Sequence, residues 1–197
     1  MSTESLPPVR HDNFCMLVIG GCRSGKSRFA QATAEALAVR QRIFVATCIA
    51  QDEEMQARVA AHRLQRNPDR WQTVEEPLAL AAVIGSRAAP HRVILVDCLT
   101  LWVTNLLMAP ENTDLQAAVD ELVRALQDVR GPVILVSNEV GTGIVPENAL
   151  ARRFRDAAGM ANQAVAAVAD RVVWMVAGIP VTVKPAADDR PDPGKGT

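Results

Sequence analysis

GGCRSGKS, residues 20–27, joins the apolar run FCMLVI (14–19) to the helical stretch RFAQATAEALAV (28–39). Gly-x4-Gly-Lys-Ser between a strand and a helix is a cradle for a nucleotide's phosphates. Its glycines let the backbone approach, and its amides and the helix N-terminus face the charge. Gly20, Gly21, Cys22, Arg23, Ser24, Gly25, Lys26 and Ser27 are therefore candidate nucleotide contacts. Lys26 is expected to reach the β- and γ-phosphates, and the Ser27 hydroxyl to ligate Mg2+. The loop alone is compatible with hydrolysis, with transfer to a small molecule and with retention of the nucleotide as a switch.

Outward from the loop, β-branched runs alternate with helical stretches. Strands are predicted over 14–19, 43–47, 72–75, 92–97, 132–137 and 171–176. Helices are predicted over 26–39, 52–66, 77–87, 99–108, 114–129 and 147–169. VILV occurs at 93–96 and again at 133–136; such unbroken apolar runs fit strands buried on both faces. The alternation predicts an α/β fold of the P-loop NTPase kind, a mainly parallel sheet with helices on both faces. An antiparallel edge hairpin is expected through Gly178-Ile179-Pro180. One domain is expected over 14–184, with the polar, Pro-rich stretches 1–13 and 185–197 as mobile tails.

Composition narrows the partner classes. A chain of 197 residues, 49% hydrophobic and 22% charged, is long and apolar enough for a substantial globular core. A net charge of −1, 4% aromatic residues and no Tyr argue against nucleic acid as the main partner, which asks for a basic face and stacking rings. No apolar run reaches the roughly 20 residues of a membrane span. MSTESLPPVRHDN (1–13) has no apolar signal-peptide core, so the cytoplasm is the expected location. Cys15, Cys22, Cys48 and Cys98 form no CxxC pair, which leaves them as small residues filling tight places in a reducing compartment.

In a parallel sheet, ligands gather at the carboxyl ends of the strands. That selects 20–27, 46–51, the neighbourhood of Glu75, 97–98 and the loop NEVGTGIVPEN (138–148). VILVD (93–97) ends in Asp97, which would hold Mg2+ directly or through water, as in a Walker B segment. The guanine-recognition element NKxD of a GTPase switch does not occur; SNEVG (137–141) stands in the comparable place. A transferase is left in front, and its chemistry must come from another residue. Of the three histidines, His11 lies in the N-terminal stretch and His91 precedes a strand, at the amino edge of the sheet. His62 lies in DEEMQARVAAHRLQR (52–66), spaced i, i+4, i+7 with Met55 and Val59, on or beside an apolar face. Spacing alone fits a partly buried structural histidine as well as a catalytic one. The surrounding Arg58, Arg63, Arg66 and Arg70 oppose protonation of the ring and favour a neutral, nucleophilic imidazole.

GGCRSGKS, IFVAT (43–47), DEEMQARVAAHR, WQTVEEP, VDCLTLWVTNLL and SNEVGTGIVPENALARRFRDAAGMANQ together resemble one family. It is the bifunctional adenosylcobinamide kinase/adenosylcobinamide-phosphate guanylyltransferase family of cobalamin biosynthesis, and the likeness runs over about residues 16–184. The resemblance implies phosphorylation of the aminopropanol hydroxyl of adenosylcobinamide with ATP or GTP as donor. Transfer of GMP from GTP to that phosphate through a GMP–histidine intermediate then follows, with release of pyrophosphate. It assigns the nucleophile to His62, beside Lys26 as a catalytic residue. It further implies GTP contacts at Gly20 to Ser27, at Ala46, Thr47 and Cys48, at Arg63, Leu64, Gln65 and Arg66, and at Glu75 and Asp97. A homotrimer is implied as well. Cys22 departs from the alanine usual in the family's phosphate loop; both are small. Two other readings stand beside this one: a monofunctional kinase or nucleotidyltransferase on another acceptor, and a nucleotide-binding regulator without transfer chemistry.

A helix starting near Asp52 and running back along the sheet would carry His62 roughly 15 Å from the phosphate edge. Displacement needs reacting atoms about 3–3.5 Å apart. Either the helix projects outward, or it moves when GTP binds, or His62 completes the site of a neighbouring subunit; movement is expected, because nucleotide charge attracts the arginine-rich helix towards the phosphates.

Overall fold

The computed structural model describes residues 14–37, 39–49, 70–109 and 113–185. Seven strands form one sheet: β1 (Phe14–Gly20), β2 (Gln41–Ala46), β3 (Gln72–Glu75), β4 (Arg92–Asp97), β5 (Pro132–Asn138), β6 (Arg171–Val176) and β7 (Ile179–Lys184). Their order is β3-β2-β4-β5-β1-β6-β7. Strands β1 to β6 run parallel, and β7 pairs antiparallel with β6. The described helices are α1 (Lys26–Ala36), α2 (Leu80–Arg87), α3 (Leu99–Met108), α4 (Leu115–Gln127) and α5 (Ala149–Val168). The α/β, mainly parallel architecture expected of the sequence is the one observed.

Alternation along the strands divides the core in two. Leu17, Val45, Ile94, Val96 and Leu135 face α2, α3, α4 and α5 through Leu80, Ile84, Trp102, Leu122 and Ala161. Met16, Val18, Leu95, Ile134 and Val136 face the other way, onto Ala30 and Ala34 of α1 and onto Trp71. The two VILV runs supply residues to both faces, which is why they contain no polar position.

Element ends differ from the sequence reading for local reasons. Helix α1 stops at Ala36 rather than at 39, because Leu37 turns extended and packs, with Val39, against the α1-side core. Helix α2 starts at Leu80, not 77: the Glu76 carboxylate accepts from the N–H groups of Leu78 and Ala79 and holds that stretch as a turn. Asp114 and Asn148 cap α4 and α5 through side-chain oxygens, so those helices begin one and two residues later than expected. The edge hairpin exists, but its turn is Ala177–Gly178, with φ of 50° and 84°. Ile179 and Pro180 already belong to β7, where an edge strand tolerates proline. Of the stretches expected as tails, 1–13 and 185–197, all but Pro185 lie outside the described residues, as does the helix expected over 52–66. No helix among the described residues is long and apolar enough to cross a membrane.

Candidate active site at the carboxyl edge of the sheet

The phosphate loop leaves β1 at Gly20, whose φ is 154° and where a Cβ would stand 2.5 Å from the Met175 carbonyl oxygen. Gly25, with φ 92°, lets the chain enter α1 directly. Only glycine meets both conditions. The loop is braced from two neighbours. Gly178 N–H in the hairpin turn donates to Ser24 O at 3.0 Å, and Glu139 N–H beyond β5 donates to Gly20 O at 3.0 Å. Lys26 is 7% exposed, and its Nζ donates to Gly21 O at 2.6 Å, so the ammonium is folded over the loop itself. Ser27, half-buried, is the second residue of α1.

Register sets the acidic residues. Glu75 pairs with Ala46, Ala46 with Asp97, Asp97 with Val136, and Val136 with Val18. Paired residues of a parallel sheet share a face, and Ala46, Val136 and Val18 belong to the α1 side. Asp97 and Glu75 therefore lie on the same face as the helix that carries Lys26 and Ser27. Asp97 is half-buried and Glu75 exposed. Among the described residues no group of three His, Cys, Asp or Glu is gathered for a metal. The available donors are one hydroxyl and one carboxylate, oxygen ligands of the sparse kind that Mg2+ accepts alongside phosphates and water. The set fits that ion.

Thr47, fully buried, uses its hydroxyl twice, donating to Cys98 O at 2.7 Å and accepting from Cys98 N–H at 2.9 Å. It locks the end of β2 to the end of β4, and the half-exposed Cys48 is the more open residue of that turn. The sequence reading did not single out the residues of α3 that organise this edge. Asn105 Nδ2 donates to Thr47 O at 2.7 Å and to Pro77 O at 3.1 Å. Thr100 Oγ1 accepts from Asn138 N–H at 2.7 Å and lies 3.3 Å from Ser137 Oγ. Trp102 Nε1 donates to Leu78 O at 2.8 Å. One helix thus ties down the ends of β2, β3 and β5. The signal in the sequence was the polar set within VDCLTLWVTNLL, Thr100 and Asn105 amid apolar neighbours.

The loop 138–148 follows β5 and is laced to α5. Arg155 donates to Gly141 O at 2.7 Å, Arg152 to Pro146 O and Glu147 O at 3.0 and 2.5 Å, and Asn162 to Asn138 O at 3.1 Å. Its tip is apolar and open, with Ile144 96% exposed. His91 is exposed at the opposite, amino edge, as expected. His62, Arg63, Leu64, Gln65 and Arg66 lie outside the described residues. The phosphate loop, Ala46 to Cys48, Glu75 and Asp97 all occupy the carboxyl edge.

Residues 16–183 match the profile of the cobinamide kinase / cobinamide phosphate guanyltransferase family. The chain belongs to that family. The bifunctional adenosylcobalamin biosynthesis protein CobP of Pseudomonas aeruginosa is 48% identical over 170 residues, 85% of this chain and 96% of that one. The CobU proteins of Salmonella typhimurium and Escherichia coli, which carry the same description, are 44% and 43% identical over 86% of this chain and 99% of each of theirs. Among solved structures, a Pyrococcus horikoshii protein superposes with a TM-score of 0.52 at 8% identity, over 92% of this chain and 90% of its own. That likeness concerns the fold alone. The matched region contains the phosphate loop, Asp97, Glu75 and the α3 clamp.

Proposed function

We propose that this chain phosphorylates the aminopropanol hydroxyl of adenosylcobinamide from ATP or GTP, then transfers GMP from GTP to the product. The observation that carries the proposal is the family match over 16–183 on a sheet whose phosphate loop and Asp97 share one face of the carboxyl edge. In the first reaction the alcohol oxygen attacks the γ-phosphorus, the bond to the β,γ-bridging oxygen breaks, and the nucleoside diphosphate departs with the alcohol's proton going to solvent. In the second, a ring nitrogen of His62 attacks the α-phosphorus and pyrophosphate leaves. An oxygen of the corrinoid phosphate then displaces the imidazole and gives adenosylcobinamide-GDP.

Lys26 neutralises the charge of the transferred group, and the loop's amides hold its oxygens. Ser27 and Asp97 are the residues that would hold Mg2+, which supplies charge neutralisation at the phosphates when bound. The arginines Arg63 and Arg66, with Leu64 and Gln65 beside the nucleophile, and Glu75, Ala46, Thr47 and Cys48 on the β2–β3 flank, complete the GTP contacts of this reading. The catalytic unit is one domain over 14–184, acting in the cytoplasm as a homotrimer.

The deciding experiment is incubation with GTP labelled at the α-phosphate, followed by denaturation. Acid-labile, base-stable label on the protein is expected from the wild type and none from His62→Ala, which retains much of the kinase rate. Equal loss of both activities in a folded His62→Ala protein would remove the separate role of the histidine. A monofunctional kinase would carry no label at all.

A further inference from the structure

The phosphate loop has a second flank. A cavity of about 350 Å3 opens beside it, lined by Gly21, Ser24, Glu139, Thr142, Trp174 and Ala177 among others. It lies away from Asp97 and Glu75 along the sheet, since β6 borders β1 on the side opposite β5 and β4. Trp174 reaches it from the face opposite α1 and Met175 from the α1 face, so the cavity sits at the carboxyl edge itself. Trp174 is 42% exposed, whereas Trp71 and Trp102 are 5% and 1%.

Two observations mark the cavity as built for a ligand. An indole left open beside a phosphate-binding loop is a flat stacking surface, which a purine ring fits. Glu139 adds a carboxylate whose Oε1 accepts from Gly141 N–H at 2.6 Å; its other lone pairs are acceptors for the amino group of a purine.

Direction along the loop follows from the same layout. In the kinase donor, Ser27 and Asp97 would hold the cation at the γ-phosphate end, towards β4, so its nucleoside leaves towards β6, into the cavity; GTP with its base at Glu75 would lie along the loop in the opposite sense. The chain bearing His62 instead leaves the sheet at β2 and re-enters at β3, with Glu75 at the end of β3. In the sheet order Glu75 stands four strands from β1, roughly 19 Å at about 4.8 Å per strand. One nucleotide with its phosphates in the loop cannot place its single base on both flanks.

We propose that the Trp174 cavity seats the purine nucleoside of the kinase donor, while GTP consumed in GMP transfer keeps its base on the Glu75 flank. This rests on the two-reaction reading of the site. The two reactions then use one phosphate loop in turn, with two base sites.

The test uses the full-length protein. A non-hydrolysable ATP analogue with Mg2+ is expected to quench tryptophan emission; inorganic tripolyphosphate with Mg2+ is not, and Trp174→Phe is expected to remove the signal. In kinetics, Trp174→Ala is expected to raise the nucleotide KM of the kinase step about ten-fold relative to the GTP KM of GMP transfer, with kinase kcat little changed. Trp174→Phe, which keeps a stacking ring, is expected to restore most of that loss. An equal rise in both KM values, an unchanged kinase KM, or a rise in the corrinoid KM with the nucleotide KM unchanged would overturn the base site, the last by giving the cavity to the acceptor. The wild-type quench and Trp174→Phe decide the question even if the alanine variant does not fold. Absence of kinase and transferase activity from the wild type would sink the two-reaction reading, whereas loss of the quench alone sinks only the cavity's occupant.

Discussion

The Lys26 ammonium rests on the Gly21 carbonyl at 2.6 Å, so a buried cation stands over the loop. Both proposed reactions draw on a triphosphate held there. Lys26→Ala is therefore expected to lower kcat/KM of both by about 100-fold or more, measured in parallel kinase and GMP-transfer assays. Normal rates in either assay would show that the loop does not serve that reaction. Two thiols make a separate prediction about pH. Burial first, then the charge of Asp170, pushes Cys15 from 9.0 up to about 12; burial, then Asp97, pushes Cys98 up to about 11. Both stay protonated in the fold while the unfolded thiols ionise above 9.0. Their contribution to stability is full below pH 9 and is lost as pH rises through about 11 to 12. The Tm of the wild type should fall more steeply above pH 9 than that of a Cys15→Ala/Cys98→Ala protein. Parallel pH–Tm curves would contradict the assigned shifts.

At the scale of the element, α3 does more than cover the sheet. Asn105 donates to the carbonyls that follow β2 and β3, and Thr100 secures the end of β5. Asn105→Ala would leave Thr47 O and Pro77 O without that donor, at a cost of about 2 kcal/mol, or roughly 4–8 °C of Tm. Because those carbonyls border Cys48 and Glu75, the GTP KM of GMP transfer should rise more than the nucleotide KM of the kinase step. Asn105→Asp, equal in shape but without the donor, should do no better than alanine; full function in it would show that the amide is not what holds the edge. Most element cores were legible in the sequence, since the VILV runs and the 3.6-residue pattern of α4 belong to local chemistry. The ends were less so. Leu37 leaves its helix to reach the core, and the Glu76 carboxylate delays another helix by satisfying two amides in the preceding turn.

At the scale of the whole molecule, one sheet separates two cores, with Trp71 in the α1-side core and Trp102 in the other. If the sheet unfolds as one cooperative unit, proteins retaining only Trp71 or only Trp102 should report the same urea midpoint once each is compared with its own far-UV transition. Midpoints that separate for the two probes would show that the faces melt independently.

GGCRSGKS in its strand–turn–helix setting already determined a phosphate cradle, and the β–α alternation a parallel sheet, because both depend on spacing within a few dozen residues. The acid at 97 was legible as the last residue of an apolar run. Strand order was not, since pairing of β1 with β5 and β6 joins residues more than a hundred positions apart. Only that order brings Asp97 and Glu75 into one row on the face of Lys26, gives Thr47 to Cys98 as a partner, and sets Trp174 beside the phosphate loop. Local pattern determines which residues form strands and turns. Which of them meet is decided by burial on both faces of the assembled sheet.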